Sequence, residues 1–276
     1  MSAPVVLKIG GELIADPVRR AWVASELAAL VRLGGSAVVV HGGGPQATAL
    51  TTRLGLEPNV VGGRRITSPD VLEVMKMTLA GSVSVDLAAA CRAACVRALA
   101  LSGVSAGLVR AKKRPPRVVS GCGDAPIDFG EVGDVTGVDA EALMALVGAG
   151  FVPLVSSLGA DDAGRVLNIN ADIVANDVAI ALHAPALVML TGVNGVLRNI
   201  DDPQSRYPVL TAAEAKGLIA DGTVKGGMIP KLEESFRLLE KGVGRVCILE
   251  AGRPGALSAV LSGSTEQGTV LVTSLR

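Results

Sequence analysis

Two lysines, an arginine, an alternating Asn, Asn, Asp run and several glycine pairs carry the chemistry this chain could do. Lys8 stands two residues before Gly10-Gly11, near the end of Val5-Val6-Leu7-Lys8-Ile9. Glycine lets the backbone approach a ligand closely, with bare N–H groups facing it. A lysine beside such amides makes a phosphate site. The same pattern also suits a strand whose lysine snorkels to the edge before an ordinary turn. His41-Gly42-Gly43-Gly44 is a second loop of this kind. Lys231 falls in the first turn of an expected helix behind Gly226-Gly227. Its charge there opposes the helix dipole, so either an anion offsets it or the side chain is simply exposed. One of Arg64 and Arg65, beside Gly62-Gly63, suits a bidentate clamp on a carboxylate, whereas a solvated basic hairpin explains the other. Asn168, Asn170 and Asp172 alternate where a strand end becomes a helix start. Asn170 alone reads as a cap; the other two need another task.

Phosphoryl transfer to a carboxylate fits this inventory. A Glu-like acceptor has a pKa near ~4.3 and is ionised at neutral pH, so it needs no general base. The obstacle is repulsion between two anions. Lysines, backbone amides and Mg²⁺ relieve it by positioning and charge neutralisation. A chain with only His41 and His183 permits such chemistry. His41 abuts the triple glycine and can orient that loop; His183 reads as structural. No G-x-S-x-G elbow supports a serine hydrolase. No G-x-x-x-x-G-K-[ST] supports a P-loop, and no G-x-G-x-x-G follows the first strand.

The elements that position these residues alternate between buried strands and amphipathic helices. Val5–Ile9, Ser36–Val40, Val152–Ser156, Ala186–Thr191, Arg245–Leu249 and Val270–Thr273 read as strands. A loop is expected after Gly11, then helices over Pro17–Leu33 and Gln46–Leu54. Ser68 caps a helix with Pro69 in its first turn, broken near Gly81 and running to about Ala100. Ala106–Val109 reads as a strand, and Lys112–Asp134 as an exposed hairpin or flap. Thr211 and Glu214 make a capping box. A lobe boundary is expected near Ser157.

Composition bounds the rest. The 276 residues are 49% hydrophobic but 2% aromatic, so Val, Leu, Ile and Ala must build the core. With 26 basic and 26 acidic residues, no charge excess steers the chain toward nucleic acid or an anionic membrane. No apolar run approaches the ~20 residues of a membrane span. None of the four cysteines forms a C-x-x-C pair and no histidine stands near them, so no protein metal site is expected. A reduced, cytoplasmic setting suits that cysteine usage.

Lys8-Ile9-Gly10-Gly11, His41-Gly42-Gly43-Gly44, Gly63-Arg64-Arg65-Ile66-Thr67, Asn168-Ile169-Asn170-Ala171-Asp172 and Gly227-Met228-Ile229-Pro230-Lys231 follow the order and spacing of the amino acid kinase family. The chain resembles that family over essentially its whole length. Within it, the likeness is to the branch that phosphorylates N-acetyl-L-glutamate in arginine biosynthesis. The resemblance implies an α/β fold, a three-layer αβα sandwich around a mainly parallel eight-stranded open sheet. It implies an N-terminal lobe over residues 1–157 for the acyl amino acid and dimerisation, and a C-terminal lobe over 158–276 for ATP, sharing one sheet. Lys8 and Lys231 would stabilise the transferring phosphoryl group, with Mg²⁺, and Asp172 would orient both lysines. Gly43, Gly44, Arg65 and Asn168 would contact the acceptor, Arg65 at its α-carboxylate. Gly10 and Gly11 would face phosphate. Gly192, Val193, Asn194, Gly195, Val196 and Leu197, after Thr191, would form one nucleotide loop, and Thr223, Val224 and Lys225 another. Three departures stand out. Gly192 replaces the family's usual Asp, Gly81–Val85 replaces a Val-Asn-Lys pattern, and the segment 112–128 matches poorly. Arginine-inhibited members carry an additional N-terminal helix that this sequence lacks, so the resemblance implies a homodimer insensitive to arginine. One side-chain methylene separates this acceptor from an acylated aminoadipate, which keeps the corresponding lysine-pathway kinase as an alternative. A non-catalytic nucleotide sensor of the same fold is the other, although it would have no use for Lys8, Asp172 and Lys231 together.

Overall fold

The computed structural model describes residues 3–119, 123–199, 201–202, 204–224 and 228–274. The chain opens with β1 (Val5–Ile9), α1 (Gly11–Ala15), α2 (Pro17–Arg32), β2 (Ala37–His41) and α3 (Gly44–Arg53). A small hairpin, β3 (Val60–Val61) and β4 (Arg64–Arg65), precedes α4 (Pro69–Lys76), a π-helical stretch Met77–Val83 and α5 (Ser84–Ala93). Next come β5 (Ala98–Ser102), β6 (Val109–Lys113), β7 (Gly133–Val138), α6 (Ala140–Gly148) and β8 (Val152–Ser156). Then follow β9 (Leu158–Ala160), β10 (Val166–Asn168), α7 (Ala171–Ala181), β11 (Leu187–Thr191), β12 (Val209–Thr211) and α8 (Ala212–Ala220). The chain closes with α9 (Met228–Glu240), β13 (Val246–Glu250), α10 (Ala256–Leu261) and β14 (Thr269–Val272).

Among the described residues the main sheet has eight strands, in the order β12-β14-β13-β11-β1-β2-β8-β5. Neighbours run parallel except β13 and β14. Period-two alternation explains why both faces are covered. On β1, Leu7 and Ile9 join residues of α1, α2, α5 and α10 in one core. Val6 points the other way, into a second core with α6, α7 and α9. Every residue of β2 and β8 is buried, as a continuous apolar run in a doubly covered sheet should be. The result is a three-layer αβα sandwich. From β1 the sheet grows through β2 on one side and β11 on the other, which opens a crevice at the carboxyl ends of these strands. A smaller sheet, β10-β9-β6-β7, stands beside that crevice.

Several local expectations are corrected. The segment after Gly11 is a helix, α1, rather than a loop. The helical run ends at Ala93, not near Ala100; Ala98–Ser102 is the edge strand β5, paired with β8. Ala and Leu favour helix, but strand pairing overrides so weak a propensity. Ser105–Gly107 is a tight 3₁₀ turn with Ala106 at φ 52°, and the strand begins at Val109. Within 112–134 the expected hairpin is present as the antiparallel pair β6–β7, and many of the described residues between them are exposed, but Arg114, Val119 and Phe129 are buried, so the segment is also anchored to the body. The expected break falls at Gly81 (φ −95°, ψ −107°), inside a run Pro69–Ala93 that is long and apolar enough to cross a membrane by length and composition. Here it packs as a core rod against α2, β5 and β8.

Candidate active site

The residues singled out in the sequence converge on a cleft of about 990 Å³ at the carboxyl end of β1. Lys8 is the fourth residue of the five-residue strand β1, flanked by Val40 and Met189 on the neighbouring strands. Its ammonium lies 2.9 Å from Asp172 Oδ1. Asp172 sits there because each residue of its alternating run has a separate task. Asn168 Nδ2 donates to Thr67 Oγ1 at 3.0 Å, tying β10 to the segment that follows β4. Asn170 caps α7, its Oδ1 accepting from the Asp172 N–H at 2.8 Å. Asp172 then enters the first turn, where the helix dipole favours a carboxylate. Lys231, on α9, lines the same cleft. Asp172 pairs with Lys8 alone; among the described residues no acid lies within salt-bridge distance of Lys231.

Two glycine loops form the opposite wall. Gly11 and Gly43 touch backbone to backbone, so a Cβ on Gly11 would sit 2.8 Å from the Gly43 α-carbon. A Cβ on Gly43 would meet Leu79 Cδ2 at 2.7 Å. Only glycine allows that approach. Gln46 Nε2 donates to the Gly11 carbonyl at 2.7 Å and holds the loops together. His41, fully buried, secures the second loop from behind, with Nε2 3.0 Å from Ser84 Oγ and Nδ1 3.1 Å from the Gly42 carbonyl. Ser84 Oγ in turn donates to the Leu79 carbonyl at 2.7 Å. Burial pushes the His41 pKa down to about 4, against the raising effect of the Gly42 carbonyl. Only an imidazolium could donate at both nitrogens while Ser84 donates to Leu79. The neutral ring therefore leaves one of the three contacts unmade.

Arg65 Nη2 donates to the Gly44 carbonyl at 3.2 Å and to Thr48 Oγ1. Its Nη1 is buried without a hydrogen-bond partner, whereas Asp172 Oδ1 has the Lys8 ammonium beside it. Burial also holds the Arg65 pKa below its usual value. An unsatisfied buried guanidinium nitrogen at the wall of an open cleft is what a bound anion would satisfy.

A second cavity, of about 470 Å³, lies in the C-terminal half. Val193, Gly195, Val196 and Leu197 line it, with Thr223 and Val224 across from them. Thr191, Gly192 and Asn194 line neither cavity. Thr191 Oγ1 bonds both the N–H and the carbonyl of Val193, and Asn194 Oδ1 accepts from the Gly268 N–H. Those two side chains build the loop itself. Lys225 and the Gly226-Gly227 pair lie outside the described residues. Among the described residues no group of three or more His, Cys, Asp or Glu could hold a metal ion.

The sequence reading passed over several cleft residues. Asn176 and Glu234 were within its reach, for they stand one turn beyond Asp172 and Lys231, and Asn176 Nδ2 lies 3.4 Å from Glu234 Oε1. Arg114 and Arg117 had no such signal, because they come from the segment read as a flap.

A profile of the amino acid kinase family matches residues 3–250. An acetylglutamate kinase of Sorangium cellulosum is 50% identical over 98% of this chain and 95% of its own length. An acetylglutamate kinase of Methanocaldococcus jannaschii is 38% identical over 95% and 87%. Among solved structures, an N-acetylglutamate synthase from Neisseria gonorrhoeae, complexed with coenzyme A and N-acetyl-glutamate, superposes with a TM-score of 0.77. It is 26% identical, and the match covers 99% of this chain and 60% of that one. A carbamate kinase of Giardia has a TM-score of 0.69 at 15% identity, over 99% of both chains, a likeness of fold.

Proposed function

The chain belongs to the amino acid kinase family, and from that membership we propose that it transfers the γ-phosphoryl group of ATP to the side-chain carboxylate of N-acetyl-L-glutamate, forming an acyl phosphate as in arginine biosynthesis. The observation that carries this reading is the meeting of Lys8, Asp172, Lys231 and Arg65 in one cleft. The names borne by the relatives support the choice of acceptor.

In this mechanism the acceptor's α-carboxylate satisfies Arg65 Nη1. Its acyl group lies near Asn168, Gly43 and Gly44. The side-chain carboxylate, already ionised, attacks without a general base. ATP occupies the second cavity, with its phosphates reaching toward Gly10, Gly11 and Lys8. Lys8 and Lys231 bracket the phosphoryl group in flight and neutralise charge on its equatorial oxygens. Asp172 keeps Lys8 aimed. The described residues offer no protein cage for Mg²⁺, so the ion would arrive on the nucleotide's phosphates. The N-terminal lobe, residues 1–157, serves chiefly the acceptor and residues 158–276 chiefly ATP, with Asn168 reaching the acceptor and Gly10 and Gly11 the phosphates. A cytoplasmic homodimer completes the reading. Exposed Met77 and Val85 on the apolar rod support that assembly, which light scattering would test.

Hydroxylamine trapping tests the reaction. With MgATP, hydroxamate should form from N-acetyl-L-glutamate and not from L-glutamate, L-aspartate or an acylated aminoadipate. Product only from another acid would overturn the acceptor, and product from none would overturn the kinase mechanism.

A further inference from the structure

We propose that Arg117, held beside Arg114 on the carboxylate of Asp134, is a second seat for the acceptor's non-reacting carboxylate, acting together with Arg65; this rests on the carboxyl-phosphorylating reading above. Both arginines line the acceptor cleft. Asp134 accepts from Arg114 Nε at 2.8 Å and from Arg117 Nη2 at 3.1 Å. Two guanidinium groups thus share one carboxylate, and one positive charge is left over. No neighbouring acid cancels it among the described residues. Glu131 is engaged by Arg165, and Asp128 stands 4.0 Å from Lys113.

The two arginines divide the work. Arg114 is 5% exposed and also donates to the Gly133 carbonyl, so it serves the wall. Arg117 is 39% exposed and spends only Nη2. Its other guanidinium donors have no acceptor among the described residues, and a planar fork with donors to spare is a carboxylate receptor.

The backbone brings this fork to the acceptor's end. Arg117 exchanges both main-chain hydrogen bonds with Ile127. Ile127 and Ile66 pack on the same small core of Val119, Phe129 and Val132. Ile66 directly follows Arg65, so one compact cluster carries both arginines. Arg114 N–H donates to Val132, which bridges to Asn168. The second cavity takes none of its lining from this segment, which stands instead with Arg65 on the larger cleft.

A double cycle of protein and substrate changes tests the assignment. Arg117→Ala should raise KM for N-acetyl-L-glutamate by about tenfold or more, the scale of a charge-assisted contact, and leave KM for ATP within about twofold. Arg117→Lys should recover part of the loss, and Arg117→Gln should repeat it if the alanine variant folds poorly. The wild type should lose activity steeply on the α-carboxamide of N-acetylglutamate, and Arg117→Ala should lose correspondingly less. That non-additivity is the signature of direct contact. An unchanged acceptor KM, or the same fold-loss on acid and amide, overturns the inference while the functional reading stands. A wild type that phosphorylates no N-acetyl-L-glutamate overturns the reading, and this inference with it.

Discussion

The two cavities are built on opposite principles. The acceptor cleft is a side-chain site. Lys8, Asp172, Arg65, Arg114 and Arg117 are each held by a partner, and those partners come from β1, α3, α7 and β7 of the small sheet. The second cavity is mainly a main-chain and apolar site, with Val193, Val196, Leu197, Val224 and Met228 around glycine turns and Arg198 at its side. Chemistry that must neutralise charge needs particular functional groups at particular distances. Holding a flat, largely uncharged group needs shape and backbone hydrogen bonds, which many sequences provide. The difference explains why a departure such as Gly192 can stand in the second cavity's loop when the acceptor cleft shows no comparable loss.

The sharpest way to break this contrast is at Lys8. Lys8→Ala should cut turnover by about 10²–10³-fold, the scale of removing one preorganised charge donor, with acceptor binding by calorimetry largely retained. Retained turnover would mean that the cleft's charge is not the source of catalysis.

A smaller effect lies behind the glycine loop. The His41 pKa falls from its ordinary 6.5 to about 4 on folding. Between those values the unfolded chain binds a proton that the folded chain refuses. Stability is therefore complete above pH 6.5 and is lost as pH falls toward 4. By pH 4.5 the loss from this group should reach about 2–3 kcal/mol. Urea denaturation at pH 7 and pH 4.5 should show that much less acid destabilisation in His41→Asn than in wild type. Equal losses would remove His41 as the acid-sensitive pin of the loop.

The smallest effect should come from the loop beside the second cavity. Gly192 is exposed, and a Cβ there would meet only Arg19 Nη1, at 3.9 Å. Gly192→Asp should leave the acceptor KM unchanged and move the ATP KM by tenfold at most. A large change in turnover would show that this loop, too, depends on particular side chains.

Legibility in the sequence followed the same division. Ser68, Asn170 and Thr211 were readable as caps because a cap is a local contract between a side chain and an N–H two or three residues on. The buried strands were readable because an apolar run between glycines has few other uses. Ala98–Ser102 was misread because its strand identity comes from pairing with β8, which no local window contains. Arg114 and Arg117 were invisible because basic residues among prolines and glycines look solvated until a carboxylate on a later strand claims them.

The sequence by itself determined the alternation of buried strands and helices, the glycine-rich turns after β1 and β2, and the presence of two lysines, an arginine and an aspartate suited to moving a phosphoryl group. These follow from short-range physics: side-chain periodicity, caps and the backbone freedom of glycine. Only the tertiary structure decided that Lys8 meets Asp172 at the start of the helix packed over β1, that Arg65 is left with one buried, unsatisfied nitrogen, and that Asp134 gathers two distant arginines at the same cleft. Charges far apart in the chain converge only when burial of the two cores fixes strand order, and the energy that fixes it is spread over the apolar residues of both faces rather than held by any motif.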